Sequence, residues 1–223
     1  MNLEMFLLVL SGICWSTVYI DSIRIGLKDK SYAMPFWALA LNFSWELLQT
    51  VLGFKIPEIQ TQLIINSCWV ILDLGILYTY FKYGYKEFPV TLTKKWFYAW
   101  SVFGLLVSFV LQYYFIKQFG LVLGGCYSAF LQNLLMSILF IGLLFKRNSS
   151  TGQTMIIAVM KWIGTLAPTI LFGIIGIDKI GGPNQLVLVL GILIFIFDLI
   201  YIILLKNKIQ SGKKAHLTPD PSP

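Results

Sequence analysis

Three carboxylates stand inside apolar stretches long enough to cross a bilayer: Glu46, Asp73 and Asp198. Asn42, Glu46 and Gln49 are spaced i, i+4, i+7, and Asn66, Trp69 and Asp73 are spaced i, i+3, i+7, so each trio shares one face of a helix. Trp45 adjoins Glu46, Tyr201 follows Asp198 at i+3, and Trp15 and Tyr19 form an i, i+4 aromatic pair. A carboxylate facing lipid costs several kcal/mol, so these faces must turn toward protein or a wet cavity. There an acid either does chemistry or ties helices together by hydrogen bonds. Burial in apolar surroundings disfavours the charged carboxylate, and a neutral carboxyl can donate a proton. Trp and Tyr faces stabilise cations, and a dry cavity protects them from water. Those parts suit a carbocation cascade started by protonation; a proton-coupled transporter would use the same ones. Lys161, the one lysine well inside a span, lies at a depth similar to Asp198, which opens a plain ion-pair reading for that acid.

The elements that must position these groups are apolar spans. Hydrophobic residues make up 57% of the 223 residues, charged residues 12%, and the mean hydropathy is +0.78. This excludes an ordinary soluble domain. Seven apolar segments, at 4–20, 32–53, 61–82, 95–117, 121–145, 154–176 and 184–205, predict an all-α membrane protein, a seven-transmembrane-helix bundle. The first lacks a basic lead-in and a cleavage site, and is expected to be a retained span. The bundle is expected to occupy residues 1–205, followed by a basic, Pro-containing disordered tail at 206–223. The stretch Asp21 to Ser31 is expected as a polar cytoplasmic loop, and Pro168 is expected to kink helix six.

The net charge of +7 is distributed by end rather than by patch. Thirteen basic residues (Arg24, Lys28, Lys30, Lys82, Lys86, Lys94, Lys95, Lys146, Arg147, Lys206, Lys208, Lys213 and Lys214) fall on one side, against Lys55, Lys117 and Lys179 on the other. This bias places the N-terminus outside and the C-terminus in the cytoplasm, and expects contact with the lipid bilayer, not nucleic acid. The membrane would be the cytoplasmic membrane of a bacterium or the endoplasmic reticulum of a eukaryote. Cys14, Cys68 and Cys126 lie in separate spans and His216 is in the tail, so neither a metal site nor a haem ligand is expected. Helix seven has no lysine within its span to carry a retinal Schiff base. Ile71-Leu72-Asp73-Leu74 echoes Ile196-Phe197-Asp198-Leu199, which keeps a 3+1+3 transporter of small solutes or protons open as the alternative. A receptor fits the short loops least.

Gly12-Ile13-Cys14-Trp15 with Tyr19, Asp29-Lys30-Ser31-Tyr32-Ala33-Met34-Pro35, and Asn42-Phe43-Ser44-Trp45-Glu46 resemble the integral-membrane terpene cyclases of fungal meroterpenoid and indole-diterpene pathways and their bacterial relatives. The resemblance continues through Trp69 to Asp73 and the Tyr80-Phe81-Lys82-Tyr83-Gly84 exit of helix three, and ends at Asp198. It implies seven spans, no metal motif and no cofactor. The implied substrate is a prenyl chain, epoxidised or ending in an alkene, on an aromatic or other head group. It further implies that Glu46 is the general acid and Asp198 its essential partner, delivering the proton or positioning the substrate. Trp15, Tyr19, Asn42, Trp45, Gln49, Trp69 and Tyr201 are expected around the substrate, with Asp73 either structural or lining the cavity.

Overall fold

The computed structural model describes residues 3–54 and 60–217. These form seven α-helices: α1 (Leu3–Lys28), α2 (Phe36–Gly53), α3 (Gln60–Tyr83), α4 (Lys94–Phe119), α5 (Leu121–Arg147), α6 (Met155–Pro168) and α7 (Gln185–Leu217). Six of the helical segments are long and apolar enough to span a membrane. The exception is α2, an 18-residue helix whose Asn42, Glu46 and Gln49 interrupt its apolar character.

Two boundaries depart from those the hydropathy predicts. Helix α1 runs two turns past Asp21, through the stretch expected as a loop. Its polar residues there have partners inside the fold: Asp21 is buried, pairs with Arg24 at 2.6 Å and accepts a hydrogen bond from Thr154, the N-cap of α6. Helix α7 continues through 206–217, where disorder is expected. Ile209 packs on the core and Lys208 donates to Asn148 at the end of α5, which holds the extension against the bundle. Residues 218–223 of the expected tail, and Lys55, lie outside the described residues.

Helix α1 packs against α3 and α6, α6 against α7, α7 against α5, and α5 against α2, which returns to α3. Helix α4 covers the seam between α2 and α5 from outside. Lipid tails are as apolar as leucine, so this association relies on close packing and on hydrogen bonds between helices. The α1–α6 contact uses both. Pro168 has no N–H for the carbonyl of Gly164, and the Ser11 hydroxyl of α1 donates to that carbonyl at 2.8 Å. Gly164 makes the approach possible, since a Cβ there would stand 3.1 Å from Cys14 Cβ. After Pro168, where a kink is expected, the chain continues as a π-helix over Thr169–Ile175.

The basic helix ends lie together at one end of the bundle and are tied to one another. Arg147 of α5 pairs with Glu87, after α3, at 2.7 Å and lies over the Tyr32 ring at 4.5 Å. Ser31 donates to Glu87 at 3.1 Å, and Asp29 accepts the Gly152 amide at 2.7 Å. The largest apolar core, with Ala33, Met34, Tyr80, Phe97, Phe140 and Tyr201, fills this half.

Candidate active site

Toward the other end the bundle opens into a cavity of about 250 Å³. Its walls come from α1, α2, α3, α5 and α6, with Ile177 and Ile180 of the α6–α7 connection. All of these elements supply apolar side chains, and α2 carries three of the polar ones, Asn42, Glu46 and Gln49. Glu46 is 1% exposed and reaches the cavity wall in the middle of α2.

A hydrogen-bonded cluster holds this carboxyl. The Tyr19 hydroxyl of α1 donates to Glu46 Oε1, and Asn42 Nδ2 approaches the same oxygen at 3.0 Å, one turn earlier on α2. Asn42 Nδ2 also lies 2.7 Å from the Tyr19 oxygen and 2.9 Å from Asp73 Oδ2 on α3. A chain of amides supports Asn42 from behind: Gln112 donates to Gln132 at 2.6 Å, and Gln132 to Asn42 Oδ1 at 3.4 Å. The i, i+4 spacing of Asn42 and Glu46 thus does what helical geometry allows, placing both on the face that meets α1 and α3.

Aromatic rings adjoin the acid. Tyr19 meets Trp69 edge to face with centroids 5.9 Å apart, and Trp15 lies 6.0 Å from Tyr19. Trp69 Nε1 donates to Ser16 at 3.0 Å and Trp45 Nε1 to the Gly125 carbonyl at 2.8 Å, so both indoles have their polar edge tied down. Gly125 lets α2 come this close, because a Cβ there would overlap the Gln49 amide. Gln49 donates to the Leu121 carbonyl at 3.2 Å.

Trp15, Tyr19, Asn42, Trp45, Glu46, Gln49 and Trp69 therefore line one cavity. Asp73, Asp198 and Tyr201 are not among its lining residues. Asp73 stands behind Glu46 on the shared Asn42 amide. Asp198 and Tyr201 belong to α7, which packs against α5 and α6 and contributes no lining residue. Asp198 is instead gripped by Lys161 of α6, whose Nζ lies 2.8 and 2.9 Å from its two oxygens and donates to Ser137 of α5 at 2.6 Å. Asp198 thus stands apart from the cavity that Glu46 lines, in the ion pair with Lys161 that their similar depth allows.

Gln132, Asn133 and Thr165 also line the cavity, outside the residues expected around the substrate. Asn133 donates to Thr165 at 2.7 Å. Two adjacent amides within an apolar span are themselves a signal, since such groups default to buried function. Leu7, Leu8, Phe130 and Phe172 complete the apolar wall and carry no signal beyond their hydrophobicity.

The family model of the Pyr4-like transmembrane terpene cyclases matches residues 1–208. The chain is 33% identical over 171 residues to the Pyr4-family terpene cyclase mfmH of Annulohypoxylon moriforme, covering 74% of this chain and 68% of the relative. It is 27% identical over 162 residues to terpene cyclase dpchB of Colletotrichum higginsianum, covering 71% and 65%. Terpene cyclase dpfgB of Gibberella zeae is 28% identical over 162 residues, with the same shares. The chain thus spans about two thirds of the length of these relatives. No solved structure matches it. An apolar multi-helix bundle, an acid set among aromatic rings, and a family match over nearly the whole chain together show that this protein belongs to the Pyr4-like transmembrane terpene cyclases.

Proposed function

We propose that this chain cyclises a prenylated substrate by protonation, with Glu46 as the general acid and no metal ion or cofactor. The observation that carries this reading is the placement of Glu46 on the cavity wall beside Tyr19 and Trp69. The acid proton goes to the oxygen of a terminal epoxide or to a terminal alkene carbon. The resulting cation is drawn along the prenyl chain while the indole and phenol faces stabilise positive charge. The apolar wall keeps water from trapping the cation early. The prenyl chain is carried on an aromatic or other head group, and the polar side chains Gln49, Gln132 and Asn133 are suited to contact it.

Asp198 takes a different role from Glu46 in this proposal. Held by Lys161, it is a positioning residue that clamps α7 to α6 and α5 behind the cavity wall. All seven helices cross the bilayer, with α2 sheltered among its neighbours, and the basic end faces the cytoplasm. Thirteen basic residues against three support that orientation. Membership of a terpene cyclase family does not favour the transporter alternative.

The deciding experiment incubates membranes containing this chain with an epoxyprenyl–aryl compound. The expected result is a cyclised isomer of unchanged mass. Uptake or release of the compound without chemical change would instead support transport.

A further inference from the structure

We propose that Tyr19 is a positioning residue for the acid: its phenol O–H, seated on Glu46 before reaction, stabilises the carboxylate that proton transfer leaves there. This rests on Glu46 being the general acid.

The hydrogen bonds around Glu46 single out the phenol. Tyr19 has one hydroxyl hydrogen, and it donates to Glu46 Oε1. Asn42 Nδ2 lies 2.7 Å from the Tyr19 oxygen, so the phenol accepts from the amide and spends its own hydrogen on the carboxyl. Asn42 is a weaker claimant to the same role. Its NH₂ has two hydrogens for three acceptors within 3.0 Å: Glu46 Oε1, Asp73 Oδ2 and the Tyr19 oxygen.

The fold fixes the phenol from a different helix than the acid. Tyr19 stands on α1, is buried, and meets Trp69 of α3 edge to face. Trp69 in turn donates to Ser16, one turn before Tyr19, which locks the two rings in register. Both Tyr19 and Glu46 line the cavity.

Among the described residues the ion pairs are Arg24–Asp21, Arg147–Glu87 and Lys161–Asp198, and Glu46 is in none of them. The charge that forms on Glu46 is therefore met by hydrogen-bond donors. In the step, the O–H bond of Glu46 breaks and an O–H or C–H bond forms on the substrate, with the electron pair remaining on Glu46. Tyr19 keeps its proton. Its hydrogen bond passes from a neutral to an ionised acceptor, and such bonds are roughly twice as strong. An interaction that strengthens as the charge develops lowers the barrier rather than tightening substrate binding.

Kinetics of purified, detergent-solubilised protein with the epoxyprenyl–aryl compound test this. Tyr19→Phe keeps the ring and removes the donor; kcat is expected to fall about 10- to 100-fold with KM unchanged. Replacing Tyr19 by 3-fluorotyrosine makes the phenol a stronger donor, and kcat is expected to equal or exceed that of the wild type. Infrared spectra of the same proteins without substrate give a second readout. The protonated-carboxyl C=O band identified by its loss in Glu46→Gln is expected to move to higher frequency in Tyr19→Phe and to lower frequency with 3-fluorotyrosine. A tyrosine that serves only to pack helices would leave kcat and the band indifferent to phenol acidity. Wild-type kcat in Tyr19→Phe, an unmoved band, or a 3-fluorotyrosine protein as slow as Tyr19→Phe would each overturn the proposal. Should Tyr19→Phe fail to fold, the band position with 3-fluorotyrosine decides. Full activity in Glu46→Gln would instead remove Glu46 as the acid, a failure separate from that of Tyr19.

Discussion

Glu46 receives hydrogen bonds from Tyr19 and Asn42 on one oxygen and stands in a cavity wall with Trp69 and Tyr19. Glu46→Gln keeps size and hydrogen bonding but has no acidic proton, so cyclisation is expected to fall by about 10²- to 10⁴-fold in a protein that still inserts. Turnover near the wild-type rate in product assays would show that another group is the acid. A second consequence concerns metals. Among the described residues no cluster of three His, Cys, Asp or Glu side chains is arranged to hold an ion, and protonation needs no ion to draw off a diphosphate. Turnover is expected to be unchanged by EDTA; a loss reversed by added magnesium would contradict proton initiation by Glu46 alone.

Among the elements, α7 illustrates how a buried acid can matter without touching substrate. Lys161 and Asp198 are each about 1% exposed at their side chains, and the pair joins α6 to α7 while Ser137 brings in α5. Removing one partner leaves a lone buried charge, which typically costs about 3–5 kcal/mol. Lys161→Met and Asp198→Asn are each expected to lower the melting temperature in detergent and to lose activity with it. Combined, they leave no unpaired charge, and both stability and turnover are expected to recover substantially. A well-folded double variant without activity would return Asp198 to a direct part in the reaction. Pro168 works at the same scale: it frees the Gly164 carbonyl, Ser11 caps that carbonyl from α1, and the proline itself lines the cavity.

The whole molecule is divided along its axis. One half is a packed core closed by the Asp29, Glu87 and Arg147 contacts, and the other half holds the cavity. If the basic end is cytoplasmic, the cavity lies toward the opposite face of the membrane. In a cysteine-free background, Val90→Cys, at a position 99% exposed after α3, is expected to react with impermeant maleimide only from the cytoplasmic side. Asp178→Cys, on the α6–α7 connection, is expected to react only from the other side. Labelling of both from one side would refute the proposed topology.

The sequence by itself determined the helical membrane class, because apolar runs of this length have few other fates, and it singled out Glu46 with Asn42, because i, i+4 spacing is fixed by the helix alone. The resemblance over Trp15, Tyr19 and Trp69 likewise named rings that do meet around that acid. It could not say which faces of different helices meet. Asp73 and Asp198 sit in nearly the same local sequence, yet one shares the amide of Glu46 and the other is gripped by Lys161 behind the wall. Hydropathy also misplaced the ends of α1 and α7, since it scores Asp21 and Lys208 as solvated, whereas Thr154 and Asn148 supply their partners. Only tertiary structure decided these points, because a polar group's role in a membrane bundle depends on the neighbours that satisfy it, and those neighbours are distant in the chain.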